Sequence, residues 1–301
     1  MNHLTNSKMT KEKEKNEETK KVFMNPLTDV GFKYMFGTDE QVTMEFLNDL
    51  LDGIDTITDL EFLDKEQPRM SADGKTVIYD VYCETKDHKH IIIEMQKEQT
   101  ANFKERMLYY MSRSVDSRGK IGKDWQYELN GYYGVFFMNF YLLGKEKKQF
   151  LRDVTLTEQH TNEVFYDKFR MFYLELPSFT KTEEECNCKL DYWIYTIKNM
   201  ENMTTLPFKT YIKNMERLEE IMNKAALDPK KQDLYEESLK QYRDNLCAMT
   251  LLEQTMKKLD EAEDALEDSK LASAQKMKAD GMPADLIQKY TGLSPEAIEG
   301  L

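Results

Sequence analysis

Residues 76–96 read TVIYDVYCETKDHKHIIIEMQ, and this stretch decides the fold. Val77, Tyr79, Val81 and Cys83 alternate with Ile78, Asp80, Tyr82 and Glu84, the two-residue period of a strand. Ile91, Ile92 and Ile93 open a second strand, rich in β-branched residues that suit a pleated, half-buried surface. The polar run around Asp87 and His88 reads as the turn between them. Glu94 and Gln96 are two apart and project from one face. Folding the hairpin at its turn sets Asp80 across from Glu94, with Cβ atoms roughly 5 Å apart. Two carboxylates facing each other in an apolar sheet repel and are poorly solvated, and a divalent cation between them relieves both problems. Asp80, Glu94 and Gln96 therefore read as a hard-metal site of oxygen donors. The alternative from spacing alone is a strand-edge Asp80 with Glu94 and Gln96 facing solvent.

Upstream, FMNPLTDVGFKYMFGTDEQVTMEFLNDLLDG (23–53) predicts two helices. Asp29, Phe32, Lys33 and Phe36 fall at helical spacing and Gly37 closes the first. The second starts at Asp39, with Asp39 or Thr38 as N-cap, and buries Val42, Phe46, Leu47, Leu50 and Leu51. Lys33 reads either as a phosphate contact or as a solvated lysine at a helix edge. Residues 57–63 predict a first strand, and Pro68, Asp73 and Gly74 mark a loop before the hairpin.

Downstream, Phe103, Met107, Tyr110 and Met111 form the sheet-facing stripe of a helix over 102–118. Arg106, Tyr109 and Arg113 line the adjacent stripe, which either supplies cations to the carboxylate pair or is a solvated edge. GYYGVFFMNFYLL (131–143) and DKFRMFYLELPSF (167–179) predict two further strands, with a connecting segment between them. The sum is an α/β core with a sheet of about five strands interrupted by helices. From Leu190 onward the pattern is helical only. Met249, Leu252, Met256 and Leu259 keep heptad-like spacing, which suits a bundle or self-association as well as a solvated helix. Gly281, Pro283, Gly292 and Ser294 punctuate a final pair of short helices. This pair resembles a helix-turn-helix, but its second helix is short and lacks basic side chains, so groove reading is not expected.

The expected organisation is a disordered polar tail (1–21), an α/β core (22–200), a helical region (201–270) and a C-terminal helical pair (271–301). The chain has 301 residues and a net charge of −13, which argues against generic nucleic-acid binding. The charge is segregated, however. Residues 102–126 carry Lys104, Arg106, Arg113, Arg118, Lys120 and Lys123 against Glu105, Asp116 and Asp124, whereas residues 253–268 hold seven acids and two lysines. No apolar run reaches membrane-spanning length and the N-terminus has no apolar signal core, so a cytoplasmic location is expected. The four cysteines form neither a disulfide framework nor a zinc knuckle.

Taken together, NPLTDVGFKYMFG (25–37), DGKTVIYDVYC (73–83), IIIEMQ (91–96), FKERMLYYMSR (103–113) and KLASAQKMKADGMPADLIQKYTGLSPEAIEGL (270–301) resemble the PD-(D/E)XK nuclease superfamily. Within it they resemble the Rpn recombination-promoting nucleases, also described as putative transposases, which implies a core of a mixed sheet of about four strands flanked by helices. The resemblance implies that Asp80 and Glu94 hold Mg²⁺, or Mn²⁺ in its place, together with a main-chain carbonyl near Met95. It puts Gln96 where most of the superfamily has a catalytic lysine, a replacement typical of this group. It also implies an acid from the first helices beside the metal, Asp29 or Glu45. Lys33, Lys75, Arg106 and Arg113 are the candidate phosphate contacts.

The implied function is Mg²⁺-dependent DNA endonuclease activity, linked to recombination or mobile elements, with DNA as partner. The main alternative is a weak or inactive nuclease-fold protein acting in DNA or protein binding. A third reading is a helical oligomerisation or antitoxin-like partner acting through the C-terminal helices.

Overall fold

The computed structural model describes residues 22–67, 76–117, 129–144 and 148–301. The tail expected over 1–21, and the candidate phosphate contact Lys75, lie outside the described residues. Two compact units divide at residue 239/240.

The first unit is built on a six-stranded mixed sheet. Its strands are β1 (Glu61–Phe62), β4 (Val81–Glu84), β5 (His90–Gln96), β6 (Tyr132–Met138), β8 (Val164–Glu175) and β7 (Leu151–Thr157), in that spatial order. Strands β5, β6 and β8 run parallel, and β1, β4 and β7 add antiparallel. The central strands β5 and β6 are apolar almost throughout because both faces are covered. Ile91, Ile93 and Met95 face one core, and Ile92 faces the other. Strand β6 splits the same way, with Tyr133, Val135 and Phe137 on the first face and Tyr132, Phe136 and Met138 on the second.

The first face is covered by α1 (Asp29–Gly37), α2 (Glu40–Leu50), α4 (Lys189–Asn199) and α5 (Met215–Ile221). Phe137 is the common anchor. Its ring centroid lies 5.4 Å from those of Phe32 and Phe36 and 5.6 Å from that of Phe46. Phe46 in turn meets Trp193 of α4 edge-on. Helix α1 is held tightly at its start. The Thr28 hydroxyl accepts from Gly31 N–H as N-cap, and a Cβ on Gly31 would stand 2.0 Å from the Asn25 carbonyl oxygen. Asp39 caps α2, accepting from Gln41 N–H and Val42 N–H. Tyr235 and Ser238 of α6 (Pro229–Ala279) bind Asn25 N–H and Val30 N–H, which fixes the entry to α1.

The second face is covered by α3 (Phe103–Ser117), whose Phe103, Met107 and Met111 form the expected stripe, with Tyr110 packed beside them. The helix approaches the sheet closely at Gly134, where an added Cβ would stand 2.7 Å from Met111 Sδ. The β5–α3–β6 connection is the crossover that a parallel pair requires.

Three expectations are corrected. The segment 77–83 is not one strand. Val77–Ile78 form a separate strand, β3, which pairs with β2 (Glu66–Gln67), and the main sheet resumes only at Val81. Tyr79 and Tyr82 therefore face the same core, with ring centroids 4.9 Å apart, although residues three apart in an unbroken strand face opposite ways. The segment before β8 is an edge strand, β7, tied down by the Arg152–Glu175 ion pair at 2.6 Å. Its side chains are mostly exposed, so no apolar signal marked it. The strand expected over 57–63 keeps ladder pairing only at Glu61 and Phe62.

In the second unit α6 runs on to Ala279, followed by α7 (Ala284–Thr291) and α8 (Pro295–Glu299). Ala274, Ile287 and Ile298 form a small core of their own. Gly292 turns the chain between the two short helices at φ 72°, and Ser294 caps the last one. Among the described residues no helix is long and apolar enough to cross a membrane.

Candidate active site

The register of β4 on β5 pairs Tyr82 with Ile92 and Val81 with Ile93, and one step further it sets Asp80 opposite Glu94. At this rung side chains replace the ladder. Asp80 N–H donates to Glu94 Oε1 at 3.0 Å, and Met95 N–H donates to Asp80 Oδ2 at 3.0 Å. The break between β3 and β4 thus frees an aspartate to bind the neighbouring strand through its carboxylate. The hairpin expectation placed these two residues correctly; the interruption beside them was not visible in the alternation.

Glu94 is 3 % exposed. Burial, and next the negative charge of Asp80, push its carboxyl well above the usual carboxylate range. Burial also raises the Asp80 carboxyl, against the pull of the Met95 N–H and the Lys33 ammonium. Each carboxylate has a cation on its outer side. Lys33 Nζ lies 3.5 Å from Asp80 Oδ1 and 2.6 Å from Asp29 Oδ1. Burial works against the Lys33 charge, but Asp29 and Asp80 outweigh it and hold the ammonium above its ordinary value.

On the other side Gln96 Nε2 donates to Glu94 Oε2 at 3.1 Å, while Gln96 Oε1 accepts from Arg106. A side-chain amide donates through nitrogen and accepts through oxygen, so one orientation of Gln96 satisfies both neighbours. Arg106, Gln96 and Glu94 form a relay from a cation through a neutral amide to a buried carboxylate.

The remaining sequence candidates separate. Asp29 stands beside Lys33 and acts electrostatically on Asp80. Glu45 is elsewhere: its two oxygens accept from Lys213 N–H and from the backbone and side chain of Asn214. Arg113 is buried at 6 % exposure and paired with Asp116, so it does not present a phosphate contact. Arg118, Lys120 and Lys123 lie outside the described residues.

Two nearby groups were missed. Lys97 is half-buried and within the fields of Asp29 and Asp80, and burial lowers its pKa. Its signal was its place directly after Gln96. Tyr110 faces the pair closely enough that, after burial itself, the charge of Glu94 is the main influence raising its phenol pKa. Its stripe position read only as core.

Glu94, buried beside Asp80 and flanked by a cation from one helix on each face of the sheet, makes this pair the candidate functional site. The family model for the PD-(D/E)XK nuclease family transposases matches residues 26–270, and the chain belongs to that family. Comparison with curated proteins and with solved structures gave no match.

Proposed function

We propose that this protein is a divalent-metal-dependent DNA endonuclease that hydrolyses phosphodiester bonds in recombination or mobile-element activity. The observation that carries the reading is the Asp80–Glu94 pair: adjacent, with Glu94 buried and Asp80 partly so, and biased toward the protonated state unless positive charge reaches it.

The donor set fits a hard divalent cation such as Mg²⁺ or Mn²⁺. Asp80 and Glu94 would hold it, with a main-chain carbonyl near Met95 as a further oxygen ligand. Among the described residues no cluster of three or more acidic, His or Cys side chains forms a fuller cage. When bound, the cation supplies Lewis acidity toward the phosphodiester and lowers the pKa of the attacking water.

The chain's own groups do the rest. Lys33 supplies a positive charge that Gln96 lacks, reaching Asp80 from α1 on the opposite side of the pair. Arg106 contributes a second positive charge and, through Gln96, locks the Glu94 carboxylate in one orientation. Asp29 keeps Lys33 charged and directed at the pair. DNA is the fitting polyanion for two cations flanking a metal-binding carboxylate pair.

Purified protein incubated with supercoiled plasmid and Mg²⁺ tests the reading. Nicking by wild type and none by Asp80→Ala is expected; equal nicking by both overturns it. Calorimetric titration with Mn²⁺ supplies a second readout, with binding abolished in Glu94→Gln.

A further inference from the structure

The part of α6 between Leu246 and Lys270 carries an apolar seam on a solvated helix. Leu252, Met256, Leu259 and Leu266 are 60 %, 57 %, 58 % and 56 % exposed. With Met249 they fall at spacings of three, four, three and seven residues, the heptad positions of a coiled-coil seam interrupted at Glu263. Single exposed leucines are ordinary on a protein surface, but an aligned row of them along one helix marks a docking surface. At 1.5 Å per residue, 249–266 spans about 26 Å.

We propose that this seam pairs with the same seam of a second copy of the chain, antiparallel, with Leu252 packed against Met256 of the second copy. This goes beyond the nuclease reading and does not depend on it. Charge and layer chemistry select both the occupant and the direction.

Residues 260–268 contain Asp260, Glu261, Glu263, Asp264, Glu267 and Asp268 with no basic residue. A parallel pair would set this acidic block against itself and stack Glu263 on Glu263. The antiparallel pair sets it against residues 240–248, which carry Lys240 and Arg243 against only Asp244.

In that register the layers match one by one. Met249 meets Leu259, Tyr242 meets Leu266, and the two interruptions of the seam meet each other as Asn245 against Glu263. Arg243 then flanks the seam opposite Asp264 of the second copy. The small core of Ala274, Ile287 and Ile298 begins beyond the seam and leaves it uncovered.

Analytical ultracentrifugation of the full chain is expected to give a dimer at micromolar concentration, and Leu252→Glu with Leu259→Glu a monomer of unchanged helix content. A wild-type chain that is monomeric at about 100 µM overturns the proposal. Direction and register have their own tests. With the exposed Cys188 and Cys247 changed to serine, Leu252→Cys and Met256→Cys proteins should form an intermolecular disulfide only when mixed. Cross-linking of either alone indicates a parallel pair and overturns the direction. Arg243→Glu should weaken the dimer about tenfold, since the contact occurs twice. Adding Asp264→Arg should restore it; failure to restore overturns the register.

Discussion

Asp80 donates its backbone N–H to Glu94 Oε1 at 3.0 Å, so a partly buried acid and a buried one are joined across the strand gap by a bond that does not neutralise either. The contact fixes their geometry while burial and mutual repulsion oppose their ionisation.

The pH dependence of stability follows from that opposition. Both carboxyls have folded-state values above their unfolded ones, Glu94 by more. Between the unfolded and folded values the native state binds more protons, so stability falls as pH rises through that window. Metal-free protein is therefore expected to gain thermal stability as pH is lowered toward the ordinary carboxylate range. Glu94→Gln should flatten this dependence and raise Tm at neutral pH. Calorimetric scans in chelator across pH check this; a wild-type profile in the variant counts against a strained pair.

Gln96 and Arg106 are expected to act as one unit. Gln96→Ala removes the bridge and Arg106→Ala removes its outer anchor, so each should lower nicking about 10- to 100-fold. The double variant should lose little more than either single one, because a relay broken twice is broken once. Initial rates of the three variants decide it, with strict multiplication of losses as the contrary result.

Lys33→Met removes the ammonium that faces Asp80 and Asp29. A fall in nicking of about 100-fold is expected, corresponding to some 2–3 kcal/mol of transition-state stabilisation. Loss of the ammonium also raises the Asp80 carboxyl further, so the acid limb of the pH–rate profile should move to higher pH. A fall in rate with an unmoved limb would assign Lys33 to substrate binding alone.

Phe137→Ala tests how the helices bearing Asp29 and Lys33 are held. The ring fills the junction of Phe32, Phe36 and Phe46 and is fully buried. A loss of about 3–5 kcal/mol is expected from the apolar area and the cavity left behind. Urea unfolding measures it; a loss under 1 kcal/mol would mean that the junction collapses onto the gap.

The legible parts were those with strong local patterns. Alternation and β-branching announced the hairpin, and the even spacing of its turn set Asp80 across from Glu94. The stripes of α2 and α3 and the caps at Asp39 and Ser294 were equally clear, because helical periodicity and capping are short-range effects. Strand β7 was hidden because a ribbon exposed on both faces carries no burial pattern. The break at Asp80 was hidden because Tyr79 fits either an unbroken alternation or a shifted one.

The sequence by itself determined the α/β class and the facing of Asp80 and Glu94 across a hairpin, since alternation and turn spacing act within about twenty positions. Only the tertiary structure decided which cations reach the pair. Lys33 arrives from a helix about fifty residues upstream, and Arg106 arrives through Gln96. Glu45 and Arg113, equal candidates by residue type, are turned to Asn214 and Asp116. Such choices depend on how helices dock on each face of the sheet, and docking is set by Phe137 and Gly134 rather than by the charged residues themselves.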